Sequence, residues 1–108
     1  MPMKITRIQY PRPDGGGYTV SPGKVQGAII AKNGENLSVI SPRRFKLHTE
    51  QKEILYILEG KGHIKWARGE IPFTRDDCFL ADSCGEYEVN GNASFLVIRS
   101  FEEDSLYE

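Results

Sequence analysis

The sequence predicts a single all-β domain, and three observations carry that prediction. Ile, Val, Thr, Phe, Tyr and Trp together supply 30 of the 108 residues against 5 Ala, which favours pleated, half-buried strands over helix. Short apolar or alternating runs recur about every ten residues with turn residues between them, and no segment has the helical period. A chain of this length leaves room for one core only.

The elements follow in order. Lys4 to Tyr10 alternates Ile5, Arg7 and Gln9 with Lys4, Thr6 and Ile8 and predicts a first strand, stopped by Pro11-Arg12-Pro13-Asp14-Gly15-Gly16-Gly17. That segment reads as a flexible loop: it lacks the lysine-serine ending of a phosphate-binding loop, and no helical pattern follows it. Further strands are predicted at Gln26 to Lys32, Asn36 to Ile40, Phe45 to His48, Glu53 to Glu59, His63 to Ala67, Glu70 to Phe73, Cys78 to Asp82, Glu86 to Asn90 and Ala93 to Phe101. Asn33-Gly34 and Arg68-Gly69 read as hairpin tips, and Gly60-Lys61-Gly62 as a turn. At most one short helix is expected, near Gly23 to Gln26 or in the Ser100 to Leu106 tail. Eight or more short strands indicate a sandwich or barrel.

Charge and composition exclude several classes. Fourteen Lys and Arg against fifteen Asp and Glu leave a net charge of −1, so no bulk field draws nucleic acid or an anionic membrane. The longest apolar stretch, Ile54 to Leu58, is far short of the roughly 20 residues that cross a bilayer. The N-terminus lacks the apolar segment of a signal peptide, and two cysteines are too few for a disulfide scaffold. A cytoplasmic location with reduced thiols is the expectation.

One segment carries chemistry at a specific spacing. In Lys46-Leu-His48-Thr-Glu50-Gln-Lys-Glu53-Ile-Leu-Tyr-Ile-Leu-Glu-Gly60, His48 is followed after four residues by Glu53, and Glu53 after six by Gly60. This resembles the first motif of the cupin superfamily, G-x5-H-x-H-x3,4-E-x6-G. The second motif, G-x5-P-x-G-x2-H-x3-N, is matched in layout by Asp77 to Tyr87, with Asp82 at the proline, Cys84 at the glycine and Tyr87 at the histidine. The Tyr87 segment is more similar to the cupin domains of mannose-6-phosphate isomerase-type proteins than to cupin dioxygenases. The resemblance runs from Asn36 to Arg99. It implies a cupin-type double-stranded β-helix, a small jelly-roll barrel with its functional groups at the mouth. Residues 1–22 then form an N-terminal strand and Pro/Gly loop, and residues 23–108 the barrel.

Carried over, the resemblance assigns the site to Lys46, His48, Glu53 and Tyr87. A lysine ammonium has no lone pair to give a metal, and a protonated phenol is a poor ligand, which leaves His48 and Glu53 as metal donors. Glu50 and Cys84, with His63 one strand later, are the groups that could make up the set. Without a metal, the four assigned side chains suit a small hydroxylated or anionic ligand, Lys46 supplying positive charge and forming an acid/base pair with Glu53. His63, flanked by Lys61 and Lys65, reads as a solvated residue opposite Ile64 and Trp66.

Three functions remain open on these residues. The first is a small cupin that binds a sugar or sugar-phosphate-like metabolite with no cofactor. The second is a metal-dependent cupin enzyme, an isomerase or dioxygenase, using a divalent metal on His48, Glu53 and recruited ligands. The third is a non-catalytic structural or regulatory module. A homodimer is expected, with Lys4 to Tyr10 covering the edge of a partner's sheet.

Overall fold

The computed structural model describes residues 4–101, which form ten strands and no helix. They are β1 (Lys4–Ile8), β2 (Thr19–Val25), β3 (Ala28–Asn33), β4 (Asn36–Ser41), β5 (Arg44–Thr49), β6 (Lys52–Trp66), β7 (Gly69–Thr74), β8 (Cys78–Asp82), β9 (Gly85–Asn90) and β10 (Ala93–Ile98). All pairings are antiparallel. One sheet has the order β1-β8-β6-β10-β4-β3-β2, and the other joins β7, β6, β9 and β5.

Strand β6 belongs to both sheets. Its first half pairs with β8 and β10, and its second half with β7 and β9. The expected turn at Gly60-Lys61-Gly62 is therefore a bend within one continuous 15-residue strand. Glycine is required at the bend, since Gly60 has φ +100° and a Cβ there would lie 2.8 Å from Ala93 Cα. At Gly62 a Cβ would lie 2.9 Å from the Asn90 carbonyl carbon. The register also shifts beside this bend, between Ser94 and Phe95, so Leu58 is bulged out of the β6–β10 ladder.

Between the sheets lies the main core, with Phe45, Leu47, Tyr87, Val89 and Ile64 facing Val39, Leu55, Ile57, Phe79, Phe95 and Val97. Phe45 meets Phe95 edge-on, ring centroids 6.1 Å apart, tying β5 to β10 across the interior. A second apolar cluster covers the other face of β6, β8 and β10, where Tyr10, Tyr18 and Phe101 pack against Ile54, Tyr56, Cys78, Leu96 and Ile98. The N-terminal segment lies over that face, held by the ion pair of Arg12 with Asp76, whose carboxylate also accepts from Tyr56 Oη at 3.0 Å.

Three expectations change. The first strand ends at Ile8 and pairs with β8 of the same chain, Lys4 opposite Asp82, at the edge of the sheet. The segment Gly23 to Gln26 is not helical: it is the end of β2 and a tight turn, with Gln26 at φ 53° and Gly27 at φ +79°. Strand β2 itself was not anticipated, because Pro22 and Gly23 read as breakers and nearly every one of its residues is exposed. The expected tail helix lies almost wholly outside the described residues. No helix among the described residues is long and apolar enough to cross a membrane.

Candidate functional site

Alternation along the strands decides which side chains meet. In β5, Phe45, Leu47 and Thr49 are buried while Arg44, Lys46 and His48 are exposed. In β6, Glu53 is on the same interior face as Leu55 and Ile57. Tyr87 of β9 is opposite Leu47, which puts its ring inside as well. Glu53 and Tyr87 thus come together in the interior, each only 1% exposed.

A third residue completes the cluster. The β10 register sets Val97 opposite Leu55 and Ile98 opposite Ile54, and the next step brings Arg99 to Glu53. Tyr87 Oη donates to Glu53 Oε2 at 2.5 Å, and Arg99 Nε donates to Glu53 Oε1 at 3.0 Å. The carboxylate is therefore paired at both oxygens by a phenol and a guanidinium, as a buried charge requires. Burial above all, reinforced by the Glu53 charge and hydrogen bond, pushes the Tyr87 phenol well above its ordinary pKa, so the hydroxyl stays a donor. Arg99 was not foreseen. Its signal was a cation placed directly after the apolar run Phe95-Leu-Val-Ile98, in phase with the inward residues Phe95 and Val97.

Lys46 and His48 do not join this cluster. The His48 side chain is 63% exposed and its Nε2 lies 3.7 Å from Glu50 Oε1 on the solvent side. The backbone of Lys46 is held by Gln26, while its side chain is exposed beside Arg43 and Arg44, at the other end of β5. The physical reason is the two-residue strand period: Lys46 and His48 share a face, and it is the outer one. The acid/base pair expected from Lys46 and Glu53 is not formed. His63 is exposed, as its flanking lysines indicated.

Cys84 is buried near Glu53, and burial pushes its thiol up to about 11. Among the described residues no three His, Cys, Asp or Glu side chains are grouped to hold a metal ion. Thr49, which lines the same cleft as Glu53, has its Oγ1 engaged with the Gln51 backbone at 3.1 and 3.2 Å. Both oxygens of Glu53 already accept hydrogen bonds. Glu53 is thus held by a phenol and a guanidinium, and among the described residues it is not grouped with two further His, Cys, Asp or Glu donors.

Glu53 and Arg99 open onto a half-enclosed cleft of about 380 Å³, whose walls include Glu35, His48, Glu50 and Lys52. Arg99 also lines an adjoining cleft of about 530 Å³ with Lys52, Asp82, Ser83 and Phe101. The Arg99 side chain is 37% exposed, lines both clefts and engages Glu53 through its Nε.

No family model matches the chain, and no curated protein matches it in sequence. Solved structures similar in fold include the following three. The mannose 6-phosphate isomerase from Bacillus subtilis aligns with 82% of this chain and 30% of its own, at 18% identity and TM-score 0.60. Streptomyces PAC13, as a Tyr-to-Phe variant with uridine, aligns over 90% of this chain and 88% of its own, at 12% identity and TM-score 0.62. A Glu-to-Ala mutant of phosphomannose isomerase from Salmonella typhimurium aligns over 76% and 23%, at 9% identity and TM-score 0.56. The chain spans less than a third of either isomerase, and the likeness, together with the all-β antiparallel architecture, supports a cupin-like fold.

Proposed function

We propose that the protein binds a small polar or anionic metabolite, of sugar or sugar-phosphate type, in the cleft beside Glu53, without a metal. The observation that carries this reading is the buried Glu53 carboxylate shared by Tyr87 and Arg99 at the cleft wall. In this arrangement Arg99 supplies the positive charge that the sequence assigned to Lys46. Its guanidinium meets a ligand carboxylate or phosphate, while Glu35, His48 and Glu50 in the same lining offer partners for ligand hydroxyls. The reading draws support from similar folds whose names include a sugar-phosphate isomerase and a protein with uridine. It is a claim about binding. With Lys46 turned outward, the acid/base pair that an isomerase reading needs is missing.

The metal-dependent alternative needs a donor set that Glu53, Tyr87, Leu47 and Thr49 do not supply. Thermal unfolding with mannose 6-phosphate and with uridine tests the choice. A ligand at about 100 times its Kd stabilises by about 2.7 kcal/mol. The expected result is a saturable rise in Tm, unchanged by a chelator and lost in Arg99→Gln. Stabilisation by Zn, Mn or Ni that disappears in Glu53→Gln would instead establish the metal-dependent reading.

A further inference from the structure

The end of β5 remote from Glu53 carries a second cluster. Pro42 and Arg43 turn the chain from β4 into β5, so that Arg43, Arg44 and Lys46 fall within four residues. Together with Gln26 and Asn90 they line a cleft of about 510 Å³. At about 3.3 Å per residue, Arg44 is about 17 Å along the strand from Thr49, which lines the Glu53 cleft. The two clefts are separate.

The second cleft has a fixed frame. Gln26 stands at φ 53° in the β2–β3 turn and grips the β5 backbone at two points: its Nε2 donates to the Lys46 carbonyl at 2.9 Å, and its Oε1 accepts the Lys46 N–H at 2.8 Å. On the other side, the Gly91 N–H donates to the Arg43 carbonyl. A left-handed conformation at a glutamine costs energy, and here it is held by the paired hydrogen bonds to an otherwise unpaired strand edge.

The cations in this frame outnumber their partners. Among the described residues Arg43 and Lys46 have no ion pair, and Arg44 reaches only Glu88, at 4.0 Å. We propose that this cleft binds a phosphate-type oxyanion, with Arg43, Arg44 and Lys46 supplying charge and the Asn90 carboxamide a further hydrogen bond. The proposal stands on its own and does not depend on the Glu53 reading.

The occupant is compact. Moving across the sheet from Lys46, the outward residues paired in register are the half-buried Glu88 and the exposed Lys65 and Glu70, which alternate in sign. Glu86 follows opposite His48. An extended polyanion would meet these carboxylates on leaving the cleft, whereas inorganic phosphate or a phosphate monoester would not.

Amide chemical shifts of the full chain, followed during titration with inorganic phosphate, glycerol phosphate and a short single-stranded DNA, test the site. Sodium chloride at matched ionic strength is the control. Phosphate and the monoester should give saturable shifts at Gln26, Arg44, Lys46 and Asn90. The double variant Arg43→Gln/Lys46→Gln should weaken them by about tenfold or more, because two of three cations are gone. Arg44→Lys keeps the charge but loses the planar fork and should give an intermediate loss. Arg99→Gln should leave the shifts unchanged. Since the altered side chains are exposed, the parent spectrum elsewhere verifies folding. Shifts that track ionic strength without saturating, that centre on Arg99, or that survive the double variant would overturn the proposal. DNA binding tighter than the monoester would overturn its restriction to a compact anion.

Discussion

Tyr87→Phe removes one oxygen atom and with it the donor to Glu53 Oε2. The two residues are each 1% exposed, and the Arg99 bond at Oε1 leaves the other oxygen unserved once the hydroxyl is gone. A hydrogen bond to a charged group contributes about 1.5–3 kcal/mol, and a buried acceptor left unpaired costs about the same. The expected loss is about 2 kcal/mol, which at about 4–8 °C per kcal/mol lowers Tm by about 8–16 °C for a domain of this size. Urea unfolding should show a lower midpoint with an unchanged slope. A cycle with Glu53→Gln measures the part of the coupling that depends on the carboxylate charge. The glutamine oxygen still accepts from Tyr87 but turns its amide toward Arg99, and the coupling between positions 53 and 87 should be about 1 kcal/mol or more. A Tyr87→Phe protein within about 0.5 kcal/mol of the parent would refute the reasoning, because that is the range of a surface substitution touching nothing.

Three other outcomes follow from the same structure. Burial pushes Cys84 up to about 11 and Cys78 up to about 12, while the unfolded thiols ionise near 9.0. Above that pH the unfolded chain gives up protons that the folded chain keeps, so stability is whole below pH 9.0 and falls toward pH 11–12; urea midpoints across this window check the sign. Gln26→Gly relieves the left-handed backbone but cuts both bonds to Lys46, so amide exchange at Lys46 should accelerate while global stability changes by about 1 kcal/mol or less. Thr49→His directs an imidazole toward Glu53 and should raise Zn affinity as read by calorimetry, whereas Lys46→His, pointing outward, should not; equal affinities would contradict the strand phase.

Much of the fold was legible because its determinants are local. Alternating runs gave β5 and β7, continuous apolar runs gave β8 and β10, and Asn33-Gly34 marked the β3–β4 hairpin. Strand β2 was not legible, since its pairing with β3 depends on a Gln26-Gly27 turn that lacks the usual Asn-Gly signal and on a bulge around Pro22 and Gly23. Gly60 was legible as a position but not in its role. Its six-residue spacing from Glu53 marks where β6 passes between sheets, and only the packing against Ala93 reveals why a side chain is excluded.

The site was half legible, and one residue of phase accounts for most of the rest. The first cupin motif allows three or four residues between its second histidine and the glutamate. Choosing four selects His48, because a histidine stands there. Counting three selects Thr49, and the strand obeys that count: Phe45, Leu47 and Thr49 point inward with Glu53 and Tyr87, and every residue assigned from His48 falls on the opposite face. Residue type was thus a misleading guide to register, whereas the buried aromatic at Phe45 and the leucine at Leu47 carried the correct one. Applied to β10, the same parity links Arg99 to Glu53 through Val97 and Leu55. A carboxylate opening a buried strand demands a partner, and the cation in phase with it at the end of the neighbouring strand is that partner, 46 residues away in sequence and 3.0 Å away in space.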